Sequence, residues 1–69
     1  MTQKELAYVE DAIGHENNII SICKETIKNL QDQKLITFIE GELNNHISMK
    51  NRLMDMLEAK SNEWSITYG

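Results

Sequence analysis

Two residues of this sequence could do chemistry, an acid and an imidazole that each interrupt an apolar helical stripe. Glu16 fills the one gap in the apolar series of the first half, and His46 interrupts the second half near its centre. Removing a charged carboxylate from water is costly unless the carboxylate finds a partner. We therefore expect Glu16 and His46 either to hold each other as a charge-assisted pair or to hold a third group such as a metal ion.

The spacing of the apolar residues predicts two long amphipathic helices. Apolar positions in each half are separated by steps of three and four residues, which places them on one face of an α-helix. The first stripe consists of Leu6, Val9, Ile13, Ile20, Cys23, Ile27 and Leu30. The second consists of Leu35, Ile39, Met49, Leu53 and Met56, with Glu42 and His46 as its interruptions. The sequence thus predicts an all-α protein.

Capping signals set the expected helix boundaries. Thr2 and Glu5 match a capping box, so the first helix is expected at about residues 3–30. A turn is expected at residues 31–32, and the second helix at about residues 33–60. A connection this short makes the two helices antiparallel neighbours.

One domain is expected, because the whole chain has 69 residues. The helical hairpin occupies residues 1–60, with Asp32 as the cap of its second helix. Residues 61–69 lose the apolar periodicity and are expected to form a C-terminal tail, either frayed or docked. The residues that could dock it are Trp64, Ile66 and Tyr68.

The hairpin geometry brings the polar residues to one level. The numbers of Glu16 and His46 sum to about twice the position of the turn, so the two residues should face each other. Glu42 lies one helical turn from His46 on the same face. Three interpretations stay open: a Glu16–His46 pair that fixes the register, a metal site formed by Glu16, Glu42 and His46, or a solvated position caused by a different helix phase.

The width of the apolar arcs predicts a homodimer. At 100° per residue the arcs of the two helices cover about 140° and about 180°. One neighbouring helix cannot cover arcs this broad, and large exposed apolar patches usually mark interfaces. Two hairpins that form an antiparallel four-helix bundle would bury both arcs.

Composition excludes several classes of partner. The net charge is −4, with seven Lys and Arg scattered among eleven Asp and Glu, so we expect no binding to nucleic acid. No apolar run is long enough for a bilayer, and residues 1–5 lack the apolar core of an export signal. Cys23, the single cysteine, is expected to be a core thiol in a reducing compartment, with an intersubunit disulfide or a reactive thiol as the alternatives.

Four short segments occur in an order and spacing that together are more specific than any one of them. They are Gln3-Lys4-Glu5-Leu6, His15-Glu16, Leu30-Gln31-Asp32-Gln33-Lys34-Leu35 and Leu53-Met54-Asp55-Met56-Leu57. Over residues 2–58 the chain resembles the spore coat F family of endospore-forming bacteria. The domain of that family is a two-helix, ferritin-like unit, single or duplicated. The resemblance implies a four-helix bundle by dimerisation, synthesis in the cytoplasm, a place in the spore coat, and other coat or sporulation proteins as partners.

The resemblance does not extend to di-iron chemistry. Ferritin-like di-iron bundles carry a Glu on one helix and Glu-x-x-His on the next. Glu16 matches the first, but Asn45 and Met49 stand where the second motif would fall, and Glu42 and His46 are four residues apart. We therefore expect no enzyme activity and no cofactor, with iron or manganese bound by a ferritin-like remnant as the alternative.

The leading function is thus a non-enzymatic structural or assembly protein that acts through helix–helix association. A second alternative is a small helical-hairpin regulator of sporulation signalling. Phosphatases of that kind carry a Ser-Gln-Glu-Leu-Asp type of signature on their second helix. The corresponding segment here is Glu40-Gly41-Glu42-Leu43-Asn44, which lacks the Ser, Gln and Asp of that signature.

Overall fold

A computed structural model shows two α-helices packed side by side and joined by a short turn. Helix α1 spans Gln3–Asn29, and helix α2 spans Gln33–Tyr68. The structure describes the backbone of residues 1–68 and the side chains of residues 1–59. No strand occurs within residues 1–68, so the predicted all-α hairpin is confirmed.

The start of α1 is the predicted capping box. The Thr2 hydroxyl accepts a hydrogen bond from the Glu5 backbone N–H at 3.0 Å, and the Glu5 carboxylate accepts one from the Thr2 N–H at 2.8 Å. Two backbone donors that have no partner inside the helix are satisfied in this way. The carboxylate also lies at the positive end of the helix dipole.

The turn is built without glycine. Leu30 leaves α1 with extended backbone angles, and its N–H donates to the Ile27 carbonyl at 3.4 Å. Asp32 then caps α2, because its carboxylate accepts hydrogen bonds from the N–H groups of Lys34 at 2.8 Å and Leu35 at 3.2 Å. The cap predicted at Asp32 is confirmed, and the connection is short enough to return α2 along α1.

Helix α2 is longer than the sequence analysis expects. It ends at Tyr68 rather than near residue 60. Residues 61–68 contain no proline or glycine, so the backbone can continue as a helix after the apolar periodicity stops. Periodicity indicates where a helix buries a face, and it does not mark the end of the helix. The expected docking or fraying of Trp64, Ile66 and Tyr68 concerns side chains outside the described residues.

The two helices meet along a seam of less exposed side chains at steps of three and four residues, as in a coiled coil. On α1 the seam consists of Leu6, Val9, Ile13, Glu16, Ile20, Cys23 and Ile27, and it continues to Leu30 just after the helix. On α2 it consists of Ile36, Ile39, Leu43, His46, Lys50, Leu53 and Leu57. Among the described side chains only Glu16, Ile20 and Cys23 are buried, and Cys23 is a free thiol. The expected position of Cys23 in the core is confirmed.

The stripe predicted for the second helix is partly wrong. Leu35, Met49 and Met56, which were expected on it, are exposed, whereas Ile36 and Leu43 lie in the seam. The apolar arc of α2 spans about half of the helix circumference, so apolar spacing alone could not determine which part of the arc faces α1. The seam occupies the inner part of that arc, and apolar residues on both of its flanks, such as Met49 and Met54, are exposed.

Both helices contain a glycine whose side-chain position is open. A Cβ atom added at Gly14 or at Gly41 would meet nothing within 4 Å. Glycine inside a helix costs about 0.5–1 kcal/mol relative to alanine. We therefore expect Gly14→Ala and Gly41→Ala each to raise the free energy of unfolding by about that amount, measured by urea denaturation at one fixed protein concentration. A loss of stability in Gly14→Ala alone would contradict this, because it would mean that another chain packs against α1 at Gly14.

Candidate functional site

The central polar contact of the hairpin joins the two residues that interrupt the apolar stripes. The Nδ1 atom of His46 lies 2.5 Å from the Oε2 atom of Glu16. Glu16 is 8% exposed, which makes it as buried as the core residue Ile20 at 9%. The expectation that Glu16 and His46 face each other across the hairpin is confirmed. The solvated alternative is wrong for Glu16, because that carboxylate lies between the helices.

The contact between Glu16 and His46 depends on where the imidazole carries its proton. An ionised carboxylate can only accept hydrogen bonds, so in the tautomer of His46 that carries its proton on Nδ1 the ring donates a hydrogen bond to Glu16. The second ring nitrogen, Nε2, is directed toward Glu42 and lies 3.9 Å from its Oε2 atom, which is longer than a hydrogen bond. The His46 side chain is 22% exposed, so the Nε2 side of the ring lies near the surface of the hairpin.

The two carboxylates therefore lie on the sides of different nitrogens of one imidazole, and only Glu16 is within hydrogen-bond distance. Glu16 orients the ring from α1, and Glu42 approaches the opposite nitrogen from the preceding turn of α2. Within residues 1–59 no three His, Cys, Asp or Glu side chains are arranged around a point where a metal ion could bind. The metal site proposed for Glu16, Glu42 and His46 stays a prediction.

Seven large hydrophobic side chains of the described part of the hairpin are exposed and lie outside the seam. We call one such set of exposed side chains the apolar face, and it is defined by Tyr8 and Ile22 on α1 and by Phe38, Met49 and Met56 on α2. Leu35 and Met54 are also exposed. Exposed apolar clusters of this kind mark interaction surfaces more often than isolated exposed residues do. Met49 and Met56 of the apolar face belong to a seven-residue repeat on α2 that begins with Leu35 and Glu42, and this repeat is the sequence signal for the α2 part of the face.

A groove runs along one side of the seam and shows which side chains share that side. It is lined by Glu10, Ile13, Gly14 and Asn17 of α1 and by Lys50, Met54 and Leu57 of α2. The apolar pattern of the sequence does not predict Lys50, which occupies a seam position that carries apolar residues one repeat before and after it. A lysine is tolerated there because its aliphatic stem packs along the seam while its ammonium group reaches water.

No described helix of the chain is both long enough and apolar enough to cross a lipid bilayer. No protein-family model matches the chain, and neither a curated protein nor a solved structure is significantly similar to it. Membership of the spore coat F family therefore stays a prediction from the short segments that resemble that family.

Proposed function

We propose that this protein is a non-enzymatic structural or assembly protein that acts through helix–helix association, with two hairpins packing into a four-helix bundle. The observation that carries the proposal is the imbalance between core and surface. Ile20 and Cys23 are the only buried hydrophobic residues among the described side chains, whereas seven large hydrophobic residues are exposed.

A core this thin does not stabilise an isolated hairpin of this size. Chains of fewer than about 70–80 residues usually need a disulfide, a metal or a partner subunit. A disulfide within the chain is ruled out by the single cysteine. A second hairpin would supply the missing apolar contacts, because helix bundles bury such stripes between four helices.

The molecular mass in solution tests this proposal. Sedimentation velocity on the full chain at micromolar concentration should give twice the 8.0 kDa mass of one chain, together with a fully helical circular dichroism spectrum. A monomer that retains its full helicity would contradict it, because the exposed apolar residues would then need no partner.

The spore coat is the assembly that the resemblance favours. The proposed partners beyond a second copy are other coat or sporulation proteins, because four short segments of the chain resemble the coat F family in their order and spacing. Antibody labelling of thin sections of spores, in the bacterium that encodes the chain, tests the location. We expect label over the coat, and label confined to the mother-cell cytoplasm would contradict the location but not the helix association.

Metal binding is a second candidate, and one contact favours it. A carboxylate on one nitrogen of a histidine commonly orients the other nitrogen toward a metal, and Glu16 holds His46 in that manner. Glu42 is the nearest further ligand, and a second copy would have to complete the site. Elemental analysis of protein purified without chelator, with Glu42→Ala as the control, tests it: stoichiometric iron or manganese that the control loses would support this candidate.

A further inference from the structure

We infer that the apolar face is the surface on which a second copy of this chain docks, and that the groove on the opposite side of the seam stays open. This inference rests on the proposed function, because it names the partner and the contact face of that association. It is carried by three observations: the two halves of the face share one side of the hairpin, the chain has surplus surface, and charge is sparse on this side.

The helical positions place both halves of the apolar face on one side of the hairpin. The groove contains Asn17 of α1 and Met54 of α2, so these positions mark one flank of the seam on both helices. At 100° per residue, Ile22 lies on the opposite flank of α1, and Met49 lies on the opposite flank of α2. Because the groove flanks of α1 and α2 share one side of the hairpin, the flanks away from the groove share the other side. Ile22 and Met49 therefore lie on the same side of the hairpin, the side away from the groove.

The surface area of the chain fits one more partner of this size. The chain exposes 5517 Å². A compact monomer of its mass would expose about 4,500 Å², so the surplus is about 1,000 Å². Each protomer of a standard protein complex buries about 800 Å², and obligate homodimers bury about 2,000 Å² or more in total. Two copies that each cover their surplus would reach the obligate range.

The charge distribution favours a second copy on this side rather than on the other. Each charged side chain that a second copy covers loses water, which costs free energy. On α2 the repeat Leu35, Glu42, Met49, Met56 contains one charged residue, Glu42. The groove carries Glu10 and Lys50, which would both lose water if a second hairpin covered them.

Two methionines provide a matched test. Met49, on the apolar face, and Met54, beside the groove, are 46% and 47% exposed. Met49→Asp should weaken self-association of the full chain by about 100-fold or more, because each dimer would bury two new carboxylates. Met54→Asp should change the dissociation constant by less than about threefold. Sedimentation equilibrium measures the dissociation constants of both variants. A concentration range of roughly 1 to 100 μM brackets a micromolar dissociation constant.

One further variant on each helix shows whether a loss of self-association comes from the apolar face rather than from a local distortion of α2 at Met49. Met56→Asp and Ile22→Asp lie on the apolar face and should also dissociate the dimer, with the loss of mass read at each concentration. If Met54→Asp dissociates the dimer and Met49→Asp does not, the groove is the interface. The inferred face is then overturned while the proposed function stands.

Two further results would also overturn the inference. Variants at Met49 and Met54 that both stay dimeric, or that both dissociate, would show that neither methionine distinguishes the two sides. A wild-type chain that is monomeric and fully helical at all concentrations would overturn the inferred face and the proposed function together.

Discussion

Replacing Glu16 and His46 together by leucine should leave the protein at least as stable as the wild type. Glu16 and His46 form a buried polar contact, and the exchange of a buried ion pair for apolar side chains of similar size, the nearest measured analogue, is often neutral or stabilising by about 1–4 kcal/mol. Glu16→Leu alone should instead lower the free energy of unfolding by about 1–3 kcal/mol, because the Nδ1 proton of His46 would lose its acceptor between the helices. Urea denaturation of the double-mutant cycle at one protein concentration measures the coupling.

A matched control separates the pair from a general effect of adding leucine. Glu25 is an exposed acid of α1 whose side chain is 70% accessible. Glu25→Leu should change the free energy of unfolding by less than about 0.5 kcal/mol. A double leucine variant that loses more than about 2 kcal/mol would contradict the interpretation, because the Glu16–His46 pair would then contribute stability that leucine cannot replace.

Dilution should lower the thermal stability of the protein. If two hairpins share one core, folding and association are coupled, and the stability depends on the concentration of chains. A 100-fold dilution then costs about 2.7 kcal/mol per dimer. At about 4 °C per kcal/mol for a particle of this combined size, the midpoint of thermal unfolding should fall by roughly 10 °C.

Far-ultraviolet circular dichroism, which measures the content of α-helix, follows the transition at each concentration. Met49→Asp provides the control, because a chain that no longer self-associates should show a low midpoint that does not move with concentration. A wild-type midpoint that stays constant on dilution would show that the hairpin is stable by itself. The exposed apolar face would then need another explanation.

The sequence was sufficient to predict the features that depend on local chemistry. The capping box at Thr2 and Glu5 and the cap at Asp32 depend on hydrogen bonds between residues two or three apart, so residue type and order determine them. The contact of Glu16 with His46 was also predictable, because a short turn aligns positions at equal distance from it.

The rotational phase of α2 was not predictable in the same way. Its apolar arc is wide enough for two neighbours, and Met49 and Ile36 are equally apolar candidates for the seam. Only packing against α1 places Ile36 inside and Met49 outside. Lys50 was missed for a related reason, since a charged residue at a seam position does not follow the apolar pattern.

The Glu16–His46 pair and the apolar face have different roles, since the pair would set the register of the hairpin and the face would drive association. Leucine, isoleucine and methionine on the two faces can exchange neighbours with small cost, so apolar contacts alone specify register weakly. The hydrogen bond from His46 to Glu16 forms at one register of the hairpin only. The pair would therefore fix how α1 and α2 align, and the apolar face would supply the energy of association.

Intermolecular contacts at the methionine methyl groups would show directly which side of the hairpin is the interface between two copies. In a mixture of methyl-¹³C-methionine chains and unlabelled chains, isotope-filtered nuclear Overhauser spectra report only contacts between two copies. We predict contacts from the Met49 and Met56 methyl groups of one copy to the aromatic rings of Tyr8 and Phe38 in the other, and none from Met54. Contacts that involve Met54 but neither Met49 nor Met56 would contradict the account.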